Sequence, residues 1–266
     1  MDFIKFLDEI SLQPEVKEKV LKLINDNYDT YLNYVDLLND VKKSEDTYNE
    51  LSEKYSEDIY NFNILSIYLL SAFKILDKYN EVGIDKSIFI DTMKCFSRFI
   101  DECYVKTGKY YFDRGFWTYR QTNMSLYRIG TLEYEFTTDN KVSIHIPSDS
   151  LLTEEEIESS IRKFYQFLDE FYPEKKDCEV FCNSWILSPE LSKYLNPNSK
   201  ILLFQTYFKI VSFDPNPTDI FEWVFKCNNN CDINSLKEET SLQRNLKKAL
   251  LAGKKIGTAY GKLKKK

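Results

Sequence analysis

The sequence predicts an α+β protein, with an all-helical part over residues 1–113 and an α/β part over residues 114–266. Two observations predict it. Apolar residues recur at helical spacing through the first hundred positions, and the period changes to two near residue 124. The order read from the second part is β-β-α-β-α-β-β-α.

The helical part opens with Pro14, placed where a helix entrance favours proline, followed by Val16, Val20, Leu23 and Ile24 at helical spacing. The stretch "NFNILSIYLLSAFKILDKY" (61–79) is apolar nearly all round and predicts a central buried helix. In "DKSIFIDTMKCFSRFIDECY" (85–104), Ile88, Met93, Phe96, Phe99, Ile100 and Cys103 lie along one broad face. Gly108 and "FDRGFW" mark the hand-over near residue 113.

In "MSLYRIGTLEYEF" (124–136) alternation puts Leu126, Arg128, Leu132, Tyr134 and Phe136 on one side and Tyr127, Ile129, Glu133 and Glu135 on the other. The turn "TDNK" then leads into "VSIHIP" (142–147), and the two runs read as an antiparallel hairpin. Thr153 and Glu156 form a capping box for a helix carrying Ile157, Ile161, Phe164, Leu168 and Phe171. Pro173 ends it. Residues 178–185 read as a strand, 188–195 as a short helix, 201–214 as one long or bent strand, 219–225 as a further strand, and 235–253 as a last helix closed by glycine.

Composition excludes several classes of function. Of 266 residues, 43% are hydrophobic and 29% charged, as in an ordinary soluble globular protein, and only 7 are glycine. Neither a Walker loop nor a Rossmann fingerprint is present. No apolar run approaches a membrane span, and the charged start carries no signal peptide, so the expected compartment is the cytoplasm and no membrane partner is expected. The six cysteines are accordingly expected to be reduced. Net charge is −6, yet residues 247–266 carry eight lysines and no acid. That tail is either a solvated basic face or an electropositive patch for a phosphate-bearing ligand. Nucleic acid is not expected as a partner, since the remaining chain is acidic and holds no nucleic-acid-binding motif.

The fragments "SLYRIGTLEYEF" (125–136), "IHIPSD" (144–149), "CNSWILSPEL" (182–191), "EWVF" (222–225) and "TSLQRNLKKALLAGKKIGTAYG" (240–261) stand in an order that resembles a bacterial family of acyltransferases. Its members join an N-acyltransferase N-terminal domain to a GNAT-like C-terminal domain. The resemblance implies a mixed, mostly antiparallel sheet in the second part. It also implies transfer of an acetyl or other acyl group from an acyl-coenzyme A co-substrate to a small-molecule amine acceptor, with no metal. Such chemistry needs a base for the incoming ammonium, amide donors at the developing oxyanion and a proton for the leaving thiolate. It further implies a pyrophosphate loop at a helix start. The nearest pattern, Lys254 to Ala259, has lysine in the first place and follows the last helix, which makes Lys254, Lys255 and Gly257 the cofactor-binding candidates.

The catalytic candidates are His145, Glu222 and Tyr207. His145 is the only histidine and lies off the Val142–Ile144–Ile146 face, where it either lines a cleft as a base or makes a structural hydrogen bond. Glu222 interrupts an apolar strand, as a desolvated base or as a solvent-facing or salt-bridged glutamate. Tyr207, near the middle of the 201–214 strand, is the candidate acid for the thiolate. Trp117, Arg128, Trp185 and Arg244 are the substrate-binding candidates; packing for the tryptophans and internal ion pairs for the arginines are the competing roles.

Two rival chemistries rest on cysteine. Cys178, Cys182, Cys227 and Cys231 form two equal-spaced pairs that can be drawn as a zinc site, although "CNNNC" reads better as a turn. Cys182 with His145 can be drawn as a nucleophile and base. The remaining alternative is a non-catalytic scaffold that binds a small metabolite or a protein partner.

Overall fold

The computed structural model describes residues 1–216, 218–228 and 230–264, so Lys265 and Lys266 of the basic tail lie outside the described residues. The chain divides into two compact units, Met1–Ile129 and Gly130–Lys266.

The first unit contains α1 (Phe3–Glu9), α2 (Pro14–Leu38), α3 (Ser44–Lys54), α4 (Phe62–Val82), α5 (Lys86–Met93), α6 (Cys95–Thr107) and α7 (Gly115–Thr122), and ends in β1 (Leu126–Ile129). Every residue of α4 from Ile64 to Ala72 is buried, which is why its sequence shows no polar face. Two of its buried polar side chains are satisfied internally: the Ser66 hydroxyl donates to the Phe62 carbonyl at 2.7 Å and the Tyr68 hydroxyl to the Gly115 carbonyl at 2.8 Å. Aromatic rings dominate this core. Phe89 lies 5.7 Å from Phe6 and 5.2 Å from Tyr79, and Tyr79 lies 5.8 Å from Tyr127.

The second unit contains β2 (Leu132–Phe136), β3 (Val142–His145), α8 (Glu154–Phe171), β4 (Val180–Ser184), α9 (Lys200–Thr206), β5 (Phe208–Asp214), α10 (Asp219–Trp223), α11 (Ser241–Leu251) and β6 (Thr258–Leu263). The sheet order is β1-β2-β3-β4-β6-β5. β2–β3, β4–β6 and β5–β6 are antiparallel and β3–β4 is parallel, so the sheet is mixed and mostly antiparallel. α8 starts where Thr153 accepts a hydrogen bond from the Glu156 amide. It buries Ile157, Phe164, Phe167 and Leu168. Phe164 stacks on Tyr134 with centroids 4.0 Å apart, which fixes α8 on the sheet face that carries Tyr134; its burial contributes about 1.5–3 kcal/mol.

Several expectations are corrected. The alternating run 124–136 is two strands, because Gly130 takes φ +67° and turns the chain between β1 and β2. A side chain at Gly130 would also press on Ser160, with its Cβ 3.2 Å from the Ser160 Cβ. Residues 201–214 are α9 followed by β5, not one strand: Ser199 caps the Ile201 amide and opens a helix within the apolar run. Residues 219–225 begin as α10. Ile220, Phe221, Val224 and Phe225 are buried together with Leu236, Leu246 and Ala249, a helical spacing rather than an alternating one.

The short helix at 188–195 is a 3₁₀ turn, Pro189–Lys193, and the last helix starts at Ser241, behind a Thr240–Gln243 capping box. β6 was not expected at all. Cys227 and Cys231 are joined in a disulfide rather than held as two thiols, while Cys95, Cys103, Cys178 and Cys182 are free. No helix among the described residues is long and apolar enough to cross a membrane.

Candidate functional site

β3 and β4 start as a parallel pair and then part. The Val142 amide donates to the Glu179 carbonyl at 2.9 Å, and the register runs Val142↔Val180 and Ser143↔Phe181. Past that point β3 continues through Ile144 and His145 and β4 through Cys182, Asn183 and Ser184 without further pairing to each other. Each is held from its outer side instead: β3 by β2 as far as His145↔Glu133, and β4 by β6 as far as Ser184↔Ala259. Since the Val142 amide points at β4, the Ser143↔Phe181 pairing commits the Ile144 amide to the Phe181 carbonyl, and alternation turns the Ile146 amide the same way beyond the last pair. The diverging ends therefore present backbone donors to whatever occupies the gap.

His145 stands at that opening. Its Nε2 lies 2.8 Å from Glu135 Oε2, with side-chain exposures of 28% and 18%. The register explains the contact. Glu135↔Ser143 and Glu133↔His145 place both carboxylates and the imidazole on one sheet face. Tyr134 and Ile144 are the intervening pair, so that face is opposite to α8. Glu133 is buried, at 3% exposure. Sequence reasoning passed over Glu135, yet "TDNK" as a tight turn fixes the Phe136↔Val142 pairing and so brings Glu135 and Glu133 beside His145.

Trp185 directly follows Ser184, and the Ser184↔Ala259 pair brings Lys254, Lys255 and Gly257 to the same end of the sheet as His145. Lys255 Nζ donates to Asn216 Oδ1 at 2.9 Å. Gly257 has φ +61°, and a Cβ there would fall 2.6 Å from the Pro215 Cα. Its close approach is to the chain's own backbone, so this glycine keeps the β5–β6 junction and does not make room for a phosphate.

The other candidates lie elsewhere. Tyr207 caps α9 at the start of β5, and the Phe208↔Leu263 pair puts it at the opposite end of the sheet from His145. Three strand spacings, about 14 Å, also separate β3 from β5. The structure does not bring these two together. Glu222 is exposed on α10 rather than desolvated in a strand. Arg244 donates through Nη1 to the Glu238 and Glu239 carbonyls at 2.9 and 3.3 Å. In the first unit, the Arg120 guanidinium covers the Trp117 ring at 4.4 Å, and Arg128 is half-buried in β1 with its amide donating to Thr92 Oγ1 at 2.9 Å.

The cysteine chemistries are corrected as well. Cys182 is fully buried, and desolvation pushes its thiol up to about 12, so it stays protonated and is no nucleophile. Among the described residues no group of His, Cys, Asp and Glu could hold a metal ion.

A family described as the GNAT-like C-terminal domain matches residues 126–263, and one described as the N-acyltransferase N-terminal domain matches residues 1–124. Three solved structures share the fold. An acyltransferase in complex with decanoyl-CoA and teicoplanin has a TM-score of 0.81 at 19% identity over 98% of this chain and 87% of that one. An acyltransferase in complex with CoA and 10C-teicoplanin has a TM-score of 0.78 at 19% identity, over 98% and 86%. An acyltransferase mutant in complex with octanoyl-CoA has a TM-score of 0.79 at 18% identity, over 98% and 86%. No curated protein matches the chain.

Proposed function

Since the chain belongs to the family that joins an N-acyltransferase N-terminal domain to a GNAT-like C-terminal domain, we propose that it transfers an acyl group from an acyl-coenzyme A to an amine on a small molecule in the cytoplasm. The observation that carries this reading is the parting of β3 from β4 beyond Ser143 and Phe181, with His145 and Glu135 beside the opening. A pantetheine arm has the amide groups of an extended chain and suits a gap edged by backbone donors.

In this scheme Glu135 accepts from the Nε2–H of His145, which leaves the imidazole lone pair on Nδ1. Nδ1 takes a proton from the acceptor ammonium. The amine then attacks the thioester carbonyl; a C–N bond forms and the carbonyl π pair moves to oxygen, where the Ile146 amide is directed to receive it. When the pair returns, the C–S bond breaks, and the proton shed by the new amide nitrogen passes to the departing thiolate. Lys254 and Lys255 are the cations at that end of the sheet for the phosphates, and Trp185 is a wall beside them. Acyl-coenzyme A in the structures of the similar acyltransferases supports this donor, and teicoplanin in two of them supports a small-molecule acceptor. No observation favours a non-catalytic scaffold.

The test is calorimetric titration with decanoyl-coenzyme A and acetyl-coenzyme A, followed by thiol release in the presence of a panel of primary amines. Saturable binding and amine-dependent release of coenzyme A are expected. Absence of both heat and a melting shift at millimolar thioester would overturn the reading.

A further inference from the structure

A cavity of about 480 Å³ lies along the flank of α8, on the sheet face away from His145. It is within the size range of small-molecule sites. Its lining combines two kinds of residue. Arg162, Lys176 and Lys264 supply three cations against the single carboxylate of Glu158, while Tyr165 and Tyr207 supply two phenol rings beside Ile161 and Leu263.

The positive charge is not spent inside the protein. Among the described residues neither Arg162 nor Lys176 makes an ion pair or a side-chain hydrogen bond. Lys264 Nζ donates to the Thr206 carbonyl at 2.6 Å, a neutral partner that leaves its charge uncompensated. The start of α8, by contrast, carries Glu154, Glu155 and Glu156 in its first turn, which disfavours a phosphate at that helix end. Anion attraction on this flank is therefore displaced from the helix start to the cavity.

The two kinds of lining select one chemistry. An inorganic anion would leave the tyrosine and aliphatic walls without use, and a fatty chain would leave three ammonium and guanidinium groups facing hydrocarbon. A flat aromatic ring bearing phosphate uses both. From Glu158 to Tyr165 the helix advances about 10 Å, the scale of a nucleoside. We propose that this cavity binds a nucleotide, with the base against Tyr165 and Tyr207 and the phosphates on Arg162, Lys176 and Lys264. The proposal rests on the cavity alone and stands whether or not His145 transfers an acyl group. The ligand is a free adenine nucleotide, because Lys254 and Lys255 at the other end of the sheet are the cations assigned to the phosphates of coenzyme A.

The experiment is calorimetry on the full chain with adenosine 3′,5′-bisphosphate at low salt, repeated on Arg162→Glu and Lys176→Glu. Both side chains are exposed, and a thermal melt checks that the variants fold. Saturable binding is expected, weakened about tenfold or more by each charge reversal and weakened by added salt. Adenosine alone and inorganic phosphate alone should each bind less tightly than the bisphosphate. A second titration in saturating coenzyme A separates this cavity from the thioester site: simultaneous binding is expected, and full competition overturns the proposal. No binding of the bisphosphate at millimolar concentration, or equal binding by both reversals, overturns the proposal. So does phosphate binding as tight as that of the bisphosphate, since the rings would then be idle.

Discussion

Along one edge β4 is paired with β6 at four consecutive positions, Phe181↔Lys262 to Ser184↔Ala259; along the other it meets β3 only at Val180 and Phe181. The same residues, Cys182 to Ser184, thus have one edge closed and one edge open. Their own conformation cannot be the cause, because a strand regular enough to pair with β6 could equally pair with β3. The cause is the path of β3, which β2 holds as far as His145 before Pro147 and the start of α8 carry the chain away. The closed edge is architecture, and the open edge is where the proposed chemistry would enter.

The largest expected effect breaks the open side. His145→Gln should lower kcat/KM for amine acylation by about 10²–10⁴-fold while thioester affinity in calorimetry stays unchanged. Glu135→Gln, which keeps the shape but removes the carboxylate that orients the ring, should give a smaller loss, on the order of tenfold, carried by kcat rather than KM. A His145 variant within a factor of three of the parent would remove the imidazole from the mechanism.

A middle-sized effect sharpens the closed side. Gly257→Ala forces a Cβ against Pro215 at φ +61°, whereas Gly253→Ala, at φ +69°, meets nothing within 4 Å. The first should cost about 1–3 kcal/mol and the second about 1 kcal/mol, read as shifts of the urea midpoint. Equal shifts would mean that the β5–β6 junction does not depend on that close approach.

The smallest effect is expected at Cys182, which lies on the parting segment but is sealed. A thiol held at about 12 is protonated below that pH and becomes a thiolate only above it. Native protein should therefore leave Cys182 unmodified by iodoacetamide at pH 8, by peptide mass analysis, with acylation activity unaltered. Rapid labelling would place the thiol in reach of solvent and reopen the nucleophile reading.

What could be read in advance follows the range of the interactions involved. α8 was legible because its cap and its apolar stripe are both local, and the β2–β3 hairpin because a tight turn between alternating runs dictates its register. The off-face position of His145 followed from that same alternation. The helical character of α9 and α10 was hidden in short apolar runs where strand and helix look alike. In "DIFEWVF" the burial of Ile220, Phe221, Val224 and Phe225 distinguishes them only once their partners from α11 are known. β6 was masked by the lysines around "TAYGKL", whose ammonium groups reach solvent while Thr258, Ala259 and Gly261 are buried. The parting of β3 and β4 has no local signature at all, since pairing between strands nearly forty residues apart belongs to the assembled sheet.

A six-stranded sheet ordinarily offers two flanks for strand addition, here β1 and β5. The divergence of β3 and β4 adds a third, inside the sheet, and it is a short one that no charged gatekeeper on a flanking strand can shield. If the proposed thioester docks there, saturating thioester should raise the melting temperature of this protein by mass action and suppress self-association during concentration.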